Sequence, residues 1–103
     1  MGLKIKATEE KTIQYMDLSG EVQELASVYA RIEWAARPNG ATVEGAFPYV
    51  YLSKEAMKLG ASIISTDIPT SVSGEVAIQD NQAVHELAKV KLEEEGYLVE
   101  IDL

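Results

Sequence analysis

Residues 46–52 place an aromatic side chain at every second position: Phe47, Tyr49 and Tyr51. Alternate residues of a β-strand share one face, so this spacing predicts an aromatic surface on one side of a strand. Rings beside a carboxylate are suited to binding an apolar cation, because they offer area and the negative face of their quadrupole. The alternative is that the rings only cover a sheet or fill a core. The other aromatic residues of the first half are Tyr15, Tyr29 and Trp34.

The candidate partners for such a cation are four carboxylates: Glu44, Asp67, Glu75 and Glu100. Asp67 stands among apolar residues, and Glu100 lies between Val99 and Ile101 in a stretch that alternates like a strand. A carboxylate in an aromatic pocket can also act as a general base, since burial raises its pKa. An exposed carboxylate on a strand is otherwise simply solvated, and both alternatives stay open for each residue.

Several other chemistries are not indicated. His85 is the single histidine and falls within a predicted amphipathic helix with no matching motif, so neither a catalytic triad nor a histidine metal site is predicted. The chain has no cysteine, which excludes disulfides, thiolate metal sites and cysteine nucleophiles. No glycine-rich turn joins a strand to a helix, as nucleotide-binding loops require. We therefore predict no metal and no cofactor, and we assign no catalytic residue.

The charge balance restricts the partners. Nine basic and seventeen acidic residues give a net charge of −8, the opposite of the basic footprint that nucleic acids require. An anionic membrane is disfavoured for the same reason, whereas a cationic ligand or a basic partner is attracted. No apolar run is long enough to span a bilayer, and residues 1–6 lack the apolar stretch of a signal peptide. These features favour a cytoplasmic protein.

The elements that position these residues follow from the apolar periodicity. A length of 103 residues suits a single domain, 1–103. A long helix is predicted over residues 21–37, capped by Ser19 and stopped at residues 38–40. Its apolar stripe has helical spacing and consists of Val22, Leu25, Tyr29, Ile32 and Ala36. Alternating residues predict strands over 3–8, 12–18, 46–52, 61–68, 75–79 and 97–103.

Two further helices are predicted. A short one over residues 53–59 is capped by Ser53. The second, over residues 81–95, has an apolar stripe but ends on three glutamates that oppose the helix dipole, so a strand is the alternative there. Pro48 cannot donate a hydrogen bond, so its strand is expected to be an edge or to carry a bulge.

The predicted order favours an α+β domain in which two helices pack on one face of an antiparallel sheet. A strand–helix–strand–strand unit, repeated in abbreviated form, accounts for this order. A ferredoxin-like fold is the alternative.

Several short phrases of the chain match one family pattern. They are Trp34-Ala35-Ala36, Asn39-Gly40, Gly45, Phe47-Pro48 and Tyr51, with Asp67-Ile68-Pro69 and Val99-Glu100-Ile101 further along. In these residues the chain resembles the gyrase-inhibitor-like family, the effector-binding domains also found in multidrug-responsive bacterial transcription activators. The family has two strand–helix–strand–strand repeats, so the shorter length here implies an abbreviated second repeat.

The resemblance implies a binding module for amphipathic, often cationic, small molecules. In the family the ligand lies among aromatic residues, over a buried glutamate, in the cleft between the repeats. When this family pattern is applied to the present chain, Glu100 provides the counter-charge for the ligand. The expected walls are Trp34, Phe47, Tyr49 and Tyr51. Tyr15 and Asp67 complete the candidate ligand-binding set.

Two other functions stay open. In a ferredoxin-like interaction domain, the aromatic face is the interface of a homodimer or of a complex with a regulatory protein, and no pocket exists. In a small hydrolase, which the resemblance implies for some relatives, an acidic and an aromatic residue act at the same cleft. A role in transcription regulation requires a partner protein, because three strands separate the two main predicted helices and exclude a helix-turn-helix.

Overall fold

The computed structural model describes residues 1–36, 42–77 and 81–102. The helices are α1 (Lys54–Lys58) and α2 (Asn81–Glu94). The strands are β1 (Gly2–Lys6), β2 (Ile13–Met16), β3 (Val22–Leu25), β4 (Ser27–Ala36), β5 (Thr42–Tyr51), β6 (Ser65–Thr66), β7 (Val72–Ala77) and β8 (Leu98–Asp102). They form a five-stranded antiparallel sheet, ordered β7-β5-β4-β1-β8, and a three-stranded sheet, ordered β3-β2-β6. The coarse prediction of an α+β fold with an antiparallel sheet is confirmed.

Four strands of the main sheet form a meander, and a long connection through α2 adds the fifth strand. Strands β1, β4, β5 and β7 are successive neighbours. Helix α2 then carries the chain from β7 at one edge to β8 at the other edge, where β8 pairs with β1. The β2–β3 hairpin is inserted between β1 and β4, at the point where a ferredoxin-like order has a helix.

Helix α2 packs on one face of the main sheet, which we call the inner face. Val84, Ala88 and Leu92 of α2 are fully buried. The strand residues of the same core include Leu3, Ile5, Val28, Ala30, Ile32, Ala46, Val50 and Val99. The helix predicted over residues 81–95 is therefore confirmed, because the burial of its stripe outweighs the unfavourable glutamates at its C-terminal end.

The predicted helix over residues 21–37 is wrong, since these residues form β3 and β4. Ser19 is a turn residue rather than an N-cap: its backbone N–H and its hydroxyl donate to Oδ1 of Asp17, at 2.9 and 2.6 Å. Gly20 supplies the positive φ of 86° in the same hairpin turn. The predicted helix stop at residues 38–40 and the end of the strand predicted over 75–79 lie outside the described residues.

One buried ring on the second face of β4 explains this error. Val28, Ala30 and Ile32 belong to the core under α2, while Tyr29, on the opposite face, is only 3% exposed. Tyr29 interrupts the alternation of apolar and polar residues along the strand, and together with Leu25 and Ile32 it fits helical spacing.

Helix α1 confirms the short helix predicted over residues 53–59. The Ser53 hydroxyl accepts a hydrogen bond from the backbone N–H of Ala56 at 3.0 Å, as an N-cap does. Lys54 of α1 contacts Tyr29 and Asp102 on the face opposite α2, which we call the outer face. The prediction that two helices, over residues 21–37 and 81–95, pack on one face is wrong, because residues 21–37 form strands and α1 lies on the outer face. No helix in the described part of the chain is long and apolar enough to cross a membrane.

Two predictions about strands are refined. Of residues 61–68, only Ser65–Thr66 form a strand. Pro48 lies in the part of β5 beyond its last pair with β7, which joins Ala46 to Val72. This placement on an open stretch of strand agrees with the expectation for a residue that cannot donate to a ladder.

The buried side chain of His85 is expected to reduce the stability of the fold. Its ring is 2% exposed; Nδ1 lies 2.8 Å from the backbone oxygen of Asn81, and Nε2 has no partner among the described residues. A buried polar atom without a partner costs about 1–3 kcal/mol. We therefore expect His85→Leu to raise the free energy of unfolding by about 1 kcal/mol in urea denaturation. His85→Gln keeps polar atoms at this position and serves as the control; equal stabilisation by both variants would contradict the explanation.

Candidate functional site

The outer face carries the aromatic row predicted from the sequence. Phe47, Tyr49 and Tyr51 alternate with core residues along β5 and so share this face. They stand opposite, in this order, Glu33, Arg31 and Tyr29 of β4. Tyr51 is 8% exposed, whereas Phe47 and Tyr49 are half-buried. The shared face is confirmed, and Tyr51 contributes mainly to packing beneath the surface.

Cationic side chains of the protein already lie against these rings. The guanidinium of Arg31 is 5.0 Å from the ring centroid of Tyr49, and Arg31 also forms an ion pair with Glu33. Nζ of Lys54 is 5.9 Å from the ring centroid of Tyr29. Both distances are within the range of cation–π attraction. A cationic ligand on the outer face must therefore compete with Arg31 and Lys54.

A charged hydrogen-bond cluster joins α1 to the outer face. Nζ of Lys54 and the hydroxyl of Tyr29 both donate to Oδ2 of Asp102, at 2.5 and 3.0 Å. The hydrogen bond from Lys54, followed by that from Tyr29, lowers the pKa of Asp102. Burial, followed by the hydrogen bond to Asp102, raises the pKa of Tyr29 to about 12. At neutral pH Asp102 is therefore a carboxylate and the phenol of Tyr29 is protonated.

The structure separates Trp34 and Glu100 from the aromatic row. Trp34 is partly buried against the core on the inner face. Glu100 is exposed and stands opposite Lys4. Glu100 and Tyr51 are in one cross-strand row, separated by three strand spacings of about 4.8 Å, or roughly 14 Å. The single pocket expected from Trp34, Tyr51 and Glu100 is therefore not formed.

A larger cleft, which we call the hairpin cleft, lies between the β2–β3 hairpin and residues 62–65. Its volume is about 580 Å³. Met16, Leu18 and Ile63 line it and are exposed to solvent by 53%, 106% and 53%. Tyr15 and Asp17 are also in its wall. The cleft thus combines exposed apolar side chains with an aromatic ring and a carboxylate.

Two smaller cavities adjoin the hairpin cleft. One, of about 220 Å³, shares Tyr15 and Met16 with it and adds Asp67. The other, also of about 220 Å³, shares Ile63 and is lined by Phe47 and Tyr49. The structure therefore groups four of the predicted site residues at one segment, residues 63–67. Asp67 belongs to this segment, and the other three line the cavities beside it: Tyr15, Phe47 and Tyr49.

The two carboxylates near the hairpin cleft are held differently. Oδ1 of Asp17 accepts hydrogen bonds from Ser19 and Glu21, and Oδ2 accepts one from Gln23 at 2.7 Å. These bonds, led by the one from the Ser19 hydroxyl, lower the pKa of Asp17. Oδ1 of Asp67 accepts one bond from the backbone N–H of Gln14 at 2.9 Å. Asp67 is exposed, so it is the carboxylate with more capacity for an external partner.

Met16, Leu18 and Ile63 were not among the predicted site residues. A sequence signal for them exists: residues 12–18 have apolar side chains on both faces of the strand, Ile13 and Tyr15 on one and Met16 and Leu18 on the other. A short strand inserted in a hairpin can bury only one of these faces. The structure buries Ile13 fully and exposes Met16 and Leu18.

No protein-family model, curated protein or solved structure matches the chain. The resemblance to gyrase-inhibitor-like domains therefore remains a prediction.

Proposed function

We propose that the chain is a binding module for small amphipathic cations and that the ligand occupies the hairpin cleft. One observation carries the proposal: exposed apolar side chains line a cleft of about 580 Å³ that contains a carboxylate and adjoins a second one. This volume is in the range of small-molecule sites, which are apolar with a few well-placed polar groups.

The apolar part of the ligand contacts Met16, Leu18 and Ile63. These side chains are more than half exposed, and each square ångström of apolar surface removed from water contributes about 25 cal/mol. Clustered exposed apolar side chains in a monomeric chain typically mark a binding surface. The hairpin cleft therefore supplies the apolar contact that an amphipathic molecule needs.

The cationic part of the ligand lies beside Asp67. Asp67 is exposed and accepts one backbone hydrogen bond, and the Tyr15 ring in the same cavity offers a negative face. Among the described residues that line the hairpin cleft and the Asp67 cavity, none is a lysine or an arginine. Unlike the outer face, the described lining of this site has no cationic side chain that a ligand must displace. Asp67 thus takes the role of counter-charge that the family resemblance implied for Glu100.

The proposal predicts selective thermal stabilisation by cations. We would follow the unfolding of the chain through Trp34 fluorescence with tetraphenylphosphonium, neutral triphenylphosphine oxide and anionic tetraphenylborate. A ligand at 100 times its Kd stabilises the folded state by about 2.7 kcal/mol, which raises the Tm by on the order of 10 °C. We expect this rise with the cation, a smaller rise with the neutral compound and none with the anion.

Matched variants locate the site. Asp67→Asn keeps the carbonyl that accepts from Gln14 but removes the charge, and we expect it to weaken cation binding up to about fivefold. Glu100→Gln removes the same charge from the outer face and is expected to leave binding unchanged. Ile63→Asn should weaken binding of the cation and of the neutral compound alike. A loss caused by Glu100→Gln but not by Asp67→Asn would place the ligand elsewhere and contradict the proposal.

The exposed side chains also support a second function, a protein-interaction domain. Leu18 and Val22 of the hairpin are 106% and 59% exposed, and such side chains are buried in many interfaces. A flat response to all three compounds, together with concentration-dependent dimerisation in sedimentation that is abolished by Leu18→Ser, would favour this second function.

A further inference from the structure

We propose a second binding site, for a small multivalent oxyanion of the phosphate type, in a cleft between β1 and α1 on the outer face. The cleft has a volume of about 450 Å³, and four lysines line it: Lys4, Lys6, Lys54 and Lys58. We call it the lysine cleft. It is distinct from the hairpin cleft, with which it shares none of its lining residues.

Two elements with regular spacing bring these lysines together. Lys4 and Lys6 are alternate residues of β1, so both point to the outer face. Lys54 and Lys58 are four residues apart in α1, so they lie on the same side of that helix. The chain has nine lysines and arginines in total. Four of them line one cleft of a protein whose net charge is −8.

Acidic neighbours compensate two of the four lysines. Lys54 donates to Asp102 at 2.5 Å, and Lys4 stands opposite Glu100 in the β1–β8 register. Lys6 stands opposite the uncharged Leu98 and Ser27. The side chains of Lys6 and Lys58 have no hydrogen bond and no ion pair with the described residues.

One further acid, Glu55, lines the cleft. Together with Asp102 and Glu100 it leaves the four lysines with one excess positive charge. Lys6 and Lys58 are the groups whose side chains have no fixed partner in the described part of the chain. A bound oxyanion removes their mutual repulsion and accepts hydrogen bonds from both ammonium groups. Ser27 and Ser53 also line the cleft and add hydroxyl groups, while the buried ring of Tyr29 provides a fixed floor.

The proposal predicts saturable binding of inorganic pyrophosphate, measured by isothermal titration calorimetry at constant ionic strength. We expect Lys6→Gln/Lys58→Gln to weaken this binding at least tenfold. The matched control is Lys89→Gln/Lys91→Gln on α2, which removes the same charge far from the cleft lining and should change the affinity less than twofold. Circular dichroism checks that both double variants keep the fold of the wild-type chain.

Three results would overturn the proposal. The first is an absence of saturable heat with the wild-type chain. The second is equal weakening by the two double variants, because it assigns the binding to net charge rather than to the cleft. The third is sedimentation of the chain with vesicles of phosphatidylserine and phosphatidylcholine without any binding of pyrophosphate, because it identifies the lysines as a membrane contact.

Discussion

Gly2→Ala is expected to destabilise the chain by about 2–4 kcal/mol, the sum of an overpacking cost and a weakened charged hydrogen bond. A Cβ added at Gly2 would lie 2.3 Å from the hydroxyl oxygen of Tyr29 and 2.8 Å from the backbone oxygen of Ala30. The first contact forces the Tyr29 ring away from Asp102. The second involves the backbone of β4, so rotation of a side chain cannot relieve it.

Gly74→Ala is the matched control, because its crowding has a different origin. The three atoms nearest to a Cβ there all belong to the side chain of Leu87, the first at 2.5 Å, and the end of a leucine can move. Alanine also costs less backbone entropy than glycine in a strand, by about 0.5–1 kcal/mol. We expect Gly74→Ala to change the free energy of unfolding by less than about 1 kcal/mol. Urea denaturation of both variants measures the difference, and equal destabilisation would contradict the assigned role of the β4 backbone.

Stability is expected to fall steeply as the pH rises above 10. Burial is the main cause that raises the pKa of Tyr29 and of Tyr97 to about 12, and Asp102 acts on the first while Asp67 and Glu95 act on the second. Their folded-state pKa values exceed the unfolded value of about 10. The resulting stability is fully present below pH 10 and is lost as the pH rises towards 12. At about 1.4 kcal/mol for each pH unit of difference, each tyrosine contributes up to about 3 kcal/mol.

Single substitutions separate the two tyrosines. Tyr29→Phe and Tyr97→Phe should each reduce the slope of unfolding free energy against pH between pH 10 and 11.5 by up to about 1.4 kcal/mol per pH unit. The comparison with the wild-type chain cancels the titration of the lysines, which all variants retain. Tyr97→Phe also removes a buried hydroxyl that has no partner among the described residues. If both variants keep the slope of the wild-type chain, neither phenol has a raised pKa in the folded state.

The sequence predicted those elements in which local signals and packing agree. The sequence predicts Ser53 as the N-cap of α1, and the structure shows it in that role. The predicted apolar stripe of α2 is likewise buried, at Val84, Ala88 and Leu92. Strand β4 could not be predicted in this way, because Tyr29 is buried on the face opposite α2 and interrupts the alternation of apolar and polar residues that identifies a strand. The richness of β4 in β-branched and aromatic residues, such as Val28, Ile32 and Trp34, was the signal that favoured a strand.

The hairpin turn offered a second signal. Asp17 and Ser19 followed by Gly20 is a typical turn sequence, but Ser19 also fits the start of a helix. The residues that follow Ser19 decide between a turn and an N-cap, and their apolar periodicity fits both a helix and a strand. The predicted N-cap at Ser19 is therefore wrong for the same reason as the predicted helix.

The candidate site was predictable only in part. The alternation of Phe47, Tyr49 and Tyr51 predicted their common face, because a strand has one geometry. The distance from this face to Glu100 depends on the order of strands in the sheet, and periodicity carries no information on that order. The compact grouping of Tyr15 and Asp67 likewise depends on the pairing of Tyr15 with Thr66 across 51 positions of sequence.

The pairing of β1 with β8 has a consequence for how the chain folds as it is synthesised. The register joins Gly2 to Asp102, so β1 gains its second neighbour only after nearly all of the described chain has left the ribosome. Until then, one side of β1 presents unpaired backbone groups to which a strand of another molecule can add. Closing a contact between such distant positions is also entropically costly and slow. Until β8 emerges, the nascent chain is thus open to misassociation along this side of β1.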